Sequence, residues 1–454
     1  MEFNPFFSNQ TLMTLCEEFA KYNLIDPSYY QKWDVKRGLR NADGTGVVAG
    51  VTQIGNVRGY YMQDGEKIPM EGQLFYRGIE ISDIITGFRA DDRFGFEETA
   101  YLLLFGKLPK REELRAFRSI LAEYRTLPDY FTEDMILKAP SQNIMNKLAR
   151  SILALYSYDD NPENTSLENE LLHALQLIAR VPSIVAHAFA VKRHYFDNES
   201  LYLHRPRPEL SVSEDFLHSI RPDNHFSELE ARLLDLCLVL HMEHGGGNNS
   251  AFACRVLSSS GTDIFSTISA AVGSLKGPRH GGANQKVMEM FGYIEENVDN
   301  WSDETEVERY LEKLVRKEAG DGSGLIYGMG HAVYTLTDPR AILLKDMARK
   351  VAEKKGFSKE FELFETVEKL APAVLAKVKG DNKPICANVD MYSGLVYKMM
   401  NIPSELYTPL FAIARMVGWC AHRIEEVYNP GNKIIRPAYR AVPGSGRYVP
   451  IAER

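Results

Sequence analysis

The stretch SELEARLLDLCLVLHMEHGGGNNS, residues 227–250, decides how the chain is read. Its first part sets Leu229, Leu233, Leu236 and Leu240 at i, i+4, i+7 and i+11, one face of an α-helix. Its second part puts His241 and His244 near the helix end and follows them with three glycines. Glycine lets backbone approach a ligand closely. The motif therefore joins a core helix to a turn that presents ionisable side chains.

Outward from it, helical periodicity recurs. Residues 144–160 and 169–192 carry long apolar faces. Residues 303–319 read as an amphipathic helix (Val307, Tyr310, Leu311, Leu314, Val315) stopped by Gly320. Asp338-Pro339 is a helix start, a capping residue followed by proline in the first turn. Leu344, Met347, Ala348 and Val351 continue it to Gly356. Thr408-Pro409 repeats the signal, and Leu410, Ala414, Val417, Ala421 and Ile424 follow at 4-3-4-3 spacing. The one convincing β region is 44–78, where Val47, Val48, Val51, Ile54 and Val57 are spaced with glycines and Asp64-Gly65 marks a hairpin turn. The Pro, Asp and Ser-rich stretch 208–226 reads as a loop between helices. From 428 the chain shows no periodicity. Near the N-terminus, Phe6, Phe7, Leu12, Leu15 and Phe19 suggest an amphipathic helix. The expected fold is mainly α with a small N-terminal β hairpin.

Composition sets bounds. The chain has 454 residues, 44% hydrophobic and 25% charged, which suits a soluble globular protein of two domains. A net charge of −8 gives nucleic-acid binding no electrostatic support. The five cysteines, Cys16, Cys237, Cys254, Cys386 and Cys420, show no Cys-x-x-Cys pair and read as reduced thiols. No run approaches the length needed to span a bilayer. The sequence MEFNPFFS has neither a signal-peptide nor a transit-peptide pattern. The expected location is cytoplasmic, with no membrane partner.

Three further segments resemble the end of the opening motif: GPRHGGANQ (277–285), GMGHAVYTLTDPR (328–340) and ANVDMYSG (387–394). Each sets one ionisable group, His280, His331 or Asp390, among small or turn-forming residues. Two imidazoles and a carboxylate suffice for general acid–base chemistry on carbon. Each also has a plainer reading. The His241–His244 pair reads as core histidines or, less well, as metal ligands. Asp390 reads as a helix cap, or as a base whose proton affinity burial has raised. His280, fenced by small residues, packs poorly as core. The glycines at 322, 324, 328 and 330 follow a helix, so they do not form a dinucleotide loop, which must follow a strand. Arg340 reads as a solvent-facing arginine, or as a carboxylate fork in a helix first turn. Arg415, mid-helix beside an apolar stripe, needs an anionic partner. Arg436 alone says little.

Taken together, the segments resemble the citrate synthase family. The likeness runs from about Gly46 to about Tyr448, with these motifs and the helix motif ARMVGW (414–419) in the family's order. It implies a helical homodimer whose large domain is 1–285 plus 389–454. A small domain, 286–388, would close over the substrates oxaloacetate and acetyl-CoA. By this resemblance Asp390 takes a proton from the acetyl-CoA methyl, His280 hydrogen-bonds the thioester oxygen, and His331 polarises the oxaloacetate ketone. His244, Arg340 and Arg415 hold the oxaloacetate carboxylates, and Arg436 reaches into the neighbour's site. The CoA adenine lies on the backbone around Leu325, Ile326, Gly328 and Gly330. No metal or other cofactor is implied. One departure is Thr335, where relatives carry a basic residue near the CoA phosphates. 2-Methylcitrate synthase, which uses propionyl-CoA, shares every motif. One methylene in a pocket is worth only about 1–3 kcal/mol, so acyl preference, including dual preference, stays open here. A metal-dependent enzyme built on His241, His244 and Asp390, and a non-catalytic acyl-CoA-binding protein, are the readings from other classes.

Overall fold

The computed structural model describes residues 9–380, 383–429, 431, 433–444 and 446–454. Phe6 and Phe7 lie outside them. The chain divides into two compact units, Thr52–Ile435 and the paired ends, which run up to Val51 and from Arg436 to Arg454.

The unit of the ends contains helices Asn9–Asn23 and Ser28–Lys32, the 3-10 turns Arg37–Leu39 and Ile451–Glu453 and an isolated bridge between Arg40 and Gly46. The expected apolar residues of the first helix are all solvent-facing: Leu12, Leu15 and Phe19 are 51%, 54% and 65% exposed.

The larger unit opens with an antiparallel sheet, β1 (Gly55–Gln63), β2 (Glu66–Tyr76) and β3 (Ile79–Glu80). Asp64 and Gly65 both take positive φ, 51° and 83°, as a two-residue turn that matches strand twist requires. The sheet is shorter than the valine pattern implied. Val48 and Val51 belong to no strand and are 88% and 92% exposed; their alternation with glycine does not pair with a neighbour.

Among the described residues the other regular structure is helical, apart from isolated bridges. The helix Tyr407–Tyr428 is buried around its whole circumference from Pro409 to Arg423, apart from Phe411. It packs against Leu167–Phe196, Glu228–His241, Asn249–Ser258 and Ile264–Lys276. Where it crosses the His241–Gly245 turn, a β-carbon at Gly418 would lie 2.4 Å from the Met242 carbonyl oxygen, so only glycine allows that approach. Arg423 pairs there with the buried Glu170, Nη2 to Oε1 at 2.7 Å. Leu167–Phe196, 30 residues long, corrects the expectation about apolar length, since by length and composition it could cross a bilayer. Within its most apolar window 72% is buried, which makes it a core helix here.

Three boundaries also differ from expectation. The supposed loop 208–226 contains the helix Val212–Ile220, started by a reciprocal cap between Ser211 and Glu214. Its Val212, Phe216 and Leu217 are buried, and Glu97 accepts the Val212 N–H at 3.0 Å. The Ser-x-x-Glu cap outweighed the surrounding turn composition. The helix expected over 303–319 is Glu304–Val315, ending before Lys317, whose φ is 66°. A short 3-10 turn, Ile451–Glu453, interrupts the aperiodic tail.

Candidate active site

Short backbone pairing joins two of the motif segments. Gly330 N–H donates to the Cys386 carbonyl and Asn388 N–H to the Gly328 carbonyl, both at 2.8 Å. The Asn388 side-chain amide donates to the Gly330 carbonyl, also at 2.8 Å. A β-carbon at Gly328 would stand 3.0 Å from Met391 Cα, so the loop carrying His331 lies directly against the start of the helix Asp390–Met399. The sheet supports that loop from its other side. Gly72 N–H donates to Thr337 Oγ1 at 2.9 Å, and a β-carbon at Gly72 would lie 2.1 Å from the Thr337 carbonyl oxygen.

His331 Nδ1 accepts the N–H groups of Val333 and Tyr334 at 3.1 and 3.2 Å. The ring proton is therefore on Nε2, which makes that edge a donor. Tyr334 stacks on the ring at 4.7 Å and 27°. His244 meets His331 edge-on, centroids 5.0 Å apart. Burial, with Arg340 next, holds His244 well below the usual imidazole range, so it is neutral. Its buried Nε2 has no hydrogen-bond partner. His241 behaves as the core reading expected: it donates from Nδ1 to the Cys237 carbonyl at 2.7 Å and packs on Phe411. Burial pushes its pKa down to about 3.

Arg415 is 1% exposed. Its Nε donates to the His241 carbonyl at 2.7 Å, while Nη1 and Nη2 have no partner. Burial pushes it down to about 10, which leaves it cationic at neutral pH. An orphaned buried guanidinium fork is costly unless it serves an anion. Arg340, also buried, is engaged: Nε and Nη2 donate to the two oxygens of Asp338 at 3.0 and 2.7 Å. The solvent-facing reading of Arg340 is thereby excluded.

Asp390 is the first residue of its helix, behind the cap position Val389, so the helix-cap reading does not hold. Its N–H donates to Asn388 Oδ1 at 3.0 Å. Burial raises its carboxyl to about 6, against the pull of Arg340 and, more weakly, of Arg415. His280 Nε2 lies 3.0 Å from Ser250 Oγ, which also receives the Trp419 indole N–H at 3.1 Å. Burial, then Arg415, lowers His280 to about 4. It opens on a cleft of about 470 Å³ lined by Asn249, Ser274, Gly277, Pro278 and Arg279.

The structure thus gathers His244, His331, Arg340, Arg415, Asp390 and His280 within one electrostatic neighbourhood. Gly328 and Gly330 take φ of 83° and 94° on the loop beside them. Upstream on the same loop Ile326 is buried and Leu325 is 50% exposed. Arg436 is exposed and belongs to the unit of the ends. Among the described residues no three His, Cys, Asp or Glu side chains are grouped as a metal site would need. Sequence reasoning missed Glu243, His422, Ser250 and Trp419. Glu243 had a signal, a carboxylate between two histidines at the end of an apolar helix. Ser250 and Trp419 close two of the quoted motifs, but their contacts, like that of His422, span more than 25 residues of chain and leave no local signal.

A helical scaffold that presents a buried high-pKa carboxylate, neutral imidazoles and an open guanidinium fork defines an acid–base enzyme for a small carboxylate. Residues 41–438 match the family model "Citrate synthase, C-terminal domain". Citrate synthase of Synechocystis sp. is 35% identical over 85% of this chain and 89% of its own. 2-Methylcitrate synthase of Shewanella oneidensis is 30% identical over 84% and 92%. A solved ternary complex of Thermoplasma acidophilum citrate synthase with carboxymethyl coenzyme A and oxaloacetate is similar in fold, with TM-score 0.74 and 26% identity over 92% of this chain and 99% of that one. The chain belongs to the citrate synthase family.

Proposed function

We propose that this enzyme condenses acetyl-CoA with oxaloacetate and hydrolyses the resulting citryl-CoA to citrate and CoA, with Si-type stereochemistry. The observation that carries this reading is the unpartnered fork of Arg415 and unpartnered Nε2 of His244, with Arg415 close enough to act on the charge of both His244 and Asp390 and the His331 ring packed edge-on against His244. Oxaloacetate is a dianion, and Arg415, His244 and Arg340 are the groups for its carboxylates. His331 Nε2–H donates to the ketone oxygen. Asp390 removes a methyl proton from acetyl-CoA while His280 hydrogen-bonds the thioester oxygen. A positioned donor of that kind is worth about 3–4 kcal/mol. The nascent carbanion attacks the ketone carbon, the C–C bond forms, and the alkoxide takes a proton from His331. Water then cleaves the thioester and releases CoA. This scheme gives no step to a metal or other cofactor.

Acetyl-CoA is favoured over propionyl-CoA because the relative at 35% identity is a citrate synthase and the 2-methylcitrate synthase stands at 30%. Residues 286–388 serve as the closing domain, and the loop at Leu325, Ile326, Gly328 and Gly330 as the CoA side. A homodimer is supported by the apolar residues the single chain leaves exposed at its ends, such as Leu24, Val51, Tyr439 and Ile451, at 81%, 92%, 92% and 77%. In that dimer Arg436 serves the neighbour's site. The five unpaired thiols fit the reducing cytoplasm. Initial rates of CoA release with oxaloacetate and either thioester test the reading. A kcat/KM preference for acetyl-CoA is expected. Preference for propionyl-CoA moves the enzyme to 2-methylcitrate synthesis with the same residues, and no release with either overturns the condensation.

A further inference from the structure

Glu243, between His241 and His244, is fully buried. Both of its oxygens lie 3.0 Å from His422 Nε2, and one accepts the Gly245 N–H. His422 Nδ1 lies 2.6 Å from Arg255 Nη2. A guanidinium only donates, so the imidazole proton is on Nε2 and points at Glu243. Arg255 is fixed in turn by Glu425, by Glu426 at 2.7 Å and by Thr52 Oγ1 at 3.0 Å. The carboxylate is walled in as well. A β-carbon at Gly55 would lie 2.8 Å from Glu243 Cγ.

Arg415 is the cation next to it. A β-carbon at Gly418 would stand 2.6 Å from Glu243 Oε2 and 3.5 Å from Arg415 Cδ, so the carboxylate and the guanidinium stem touch the same point. Yet no hydrogen bond joins them, and Arg415 Nη1 and Nη2 stay without partners. Asp338 treats Arg340 differently, occupying its fork. Glu243 supplies Arg415 with a counter-charge while His422 and Gly245 keep that carboxylate off the fork.

We infer that Glu243, held by His422, is a charge counterweight in the oxaloacetate site: it weakens the hold on anions and so speeds release of the more highly charged product. This rests on reading Arg415 as a substrate-carboxylate fork. Oxaloacetate carries two negative charges and citrate three, so a fixed buried carboxylate opposes citrate more. Glu243 is a positioning and charge-setting residue, without contact to the reacting atoms.

The test is binding of oxaloacetate and of citrate, by calorimetry, to the full-length wild type, Glu243→Gln and Glu243→Asp, with steady-state rates. Glu243→Gln keeps the shape and the acceptor for His422 but drops the charge. Its Kd for oxaloacetate is expected to fall roughly fivefold or more, and its Kd for citrate further, as Coulomb repulsion at this range implies. KM and kcat should fall together as product release slows. Glu243→Asp keeps the charge but shortens the reach, so both ligands should weaken with their affinity ratio unchanged. A purely structural role would raise KM in both variants. Weaker or unchanged anion binding in Glu243→Gln overturns the inference. If that variant does not fold, a changed citrate-to-oxaloacetate ratio in Glu243→Asp overturns it instead. A wild type that releases CoA and binds both ligands isolates this inference from the condensation reading; one that does neither overturns both.

Discussion

Asp338 holds Arg340 through both carboxylate oxygens, at 3.0 and 2.7 Å, with the pair 1% and 4% exposed. The same aspartate accepts the Arg340 N–H at 3.0 Å as the cap of the helix Pro339–Lys355. Breaking a buried pair by removing one partner strands a charge and typically costs about 3–5 kcal/mol. Asp338→Asn should therefore lower the unfolding free energy by an amount in that range, read as a lower denaturation midpoint at unchanged slope. Oxaloacetate would then supply the missing counter-charge and stabilise the variant more than the wild type. Equal thermal shifts on adding oxaloacetate to the two proteins would show that Arg340 does not meet the ligand.

The two arginines should respond differently to lysine. Arg415 has both Nη groups open, whereas Asp338 already takes the Nε–Nη2 edge of Arg340. Lysine offers a point charge and no planar fork. Arg415→Lys should weaken oxaloacetate binding on the order of a hundredfold, and Arg340→Lys should act more on stability than on affinity. Direct titration of oxaloacetate into both variants distinguishes them, and a larger affinity loss in Arg340→Lys would reverse the assignment of the principal fork.

Asp390, the base proposed above, ties activity to stability. Its carboxyl is raised to about 6 from an ordinary 3.8, mainly by burial, and a base acts only when ionised. kcat/KM should therefore climb with pH through about 6 and level off above it. His280, near 4, adds no titration above that. The folded state favours the protonated acid, so stability contributed at Asp390 is present in full below the unfolded value. It is lost as pH rises through the folded one. At about 1.4 kcal/mol per pKa unit, the ionised group costs on the order of 3 kcal/mol at pH 8. Asp390→Asn should abolish turnover, keep oxaloacetate binding, and melt higher than wild type at about pH 8, with the advantage gone near pH 4. Near-normal turnover in this variant would remove Asp390 as the base.

Much of this site could be read from local sequence because its chemistry sits in short glycine-bearing segments. The Asp64-Gly65 turn and the Asp338-Pro339 helix start were legible for the same reason, since each depends on backbone preferences of adjacent residues. Three things were not. The Val47–Val51 run looked like strand because alternation alone does not show whether a partner strand exists. The helix Val212–Ile220 hid in turn-forming composition, although the Ser211–Glu214 cap was there to be seen. The Glu243–His422 contact joins residues 179 apart, and no local pattern reports such a pairing. The fold class followed from periodicity, and the partners that set charge and tautomer in the site needed three-dimensional placement.

Two glycines of the sheet make a last test of how His331 is held. At Gly59 a β-carbon would stand 2.5 Å from the Val333 carbonyl oxygen, and at Gly72 it would stand 2.1 Å from that of Thr337. Both contacts are to the backbone of the loop carrying His331, so an added methyl must push sheet and loop apart. Overpacking of this kind costs about 1–3 kcal/mol. Displacing a catalytic group by about an ångström costs up to roughly a hundredfold in rate. Gly72→Ala should lower both the melting temperature and kcat, and Gly59→Ala should do so less. Gly87, within the helix Ile81–Ala90, has nothing within 4 Å of its would-be β-carbon, so Gly87→Ala should be neutral or stabilising by about 0.4–1 kcal/mol. If kcat in Gly72→Ala matched that of Gly87→Ala, the sheet would be a bystander and the pairing with Cys386 and Asn388 would hold His331 alone.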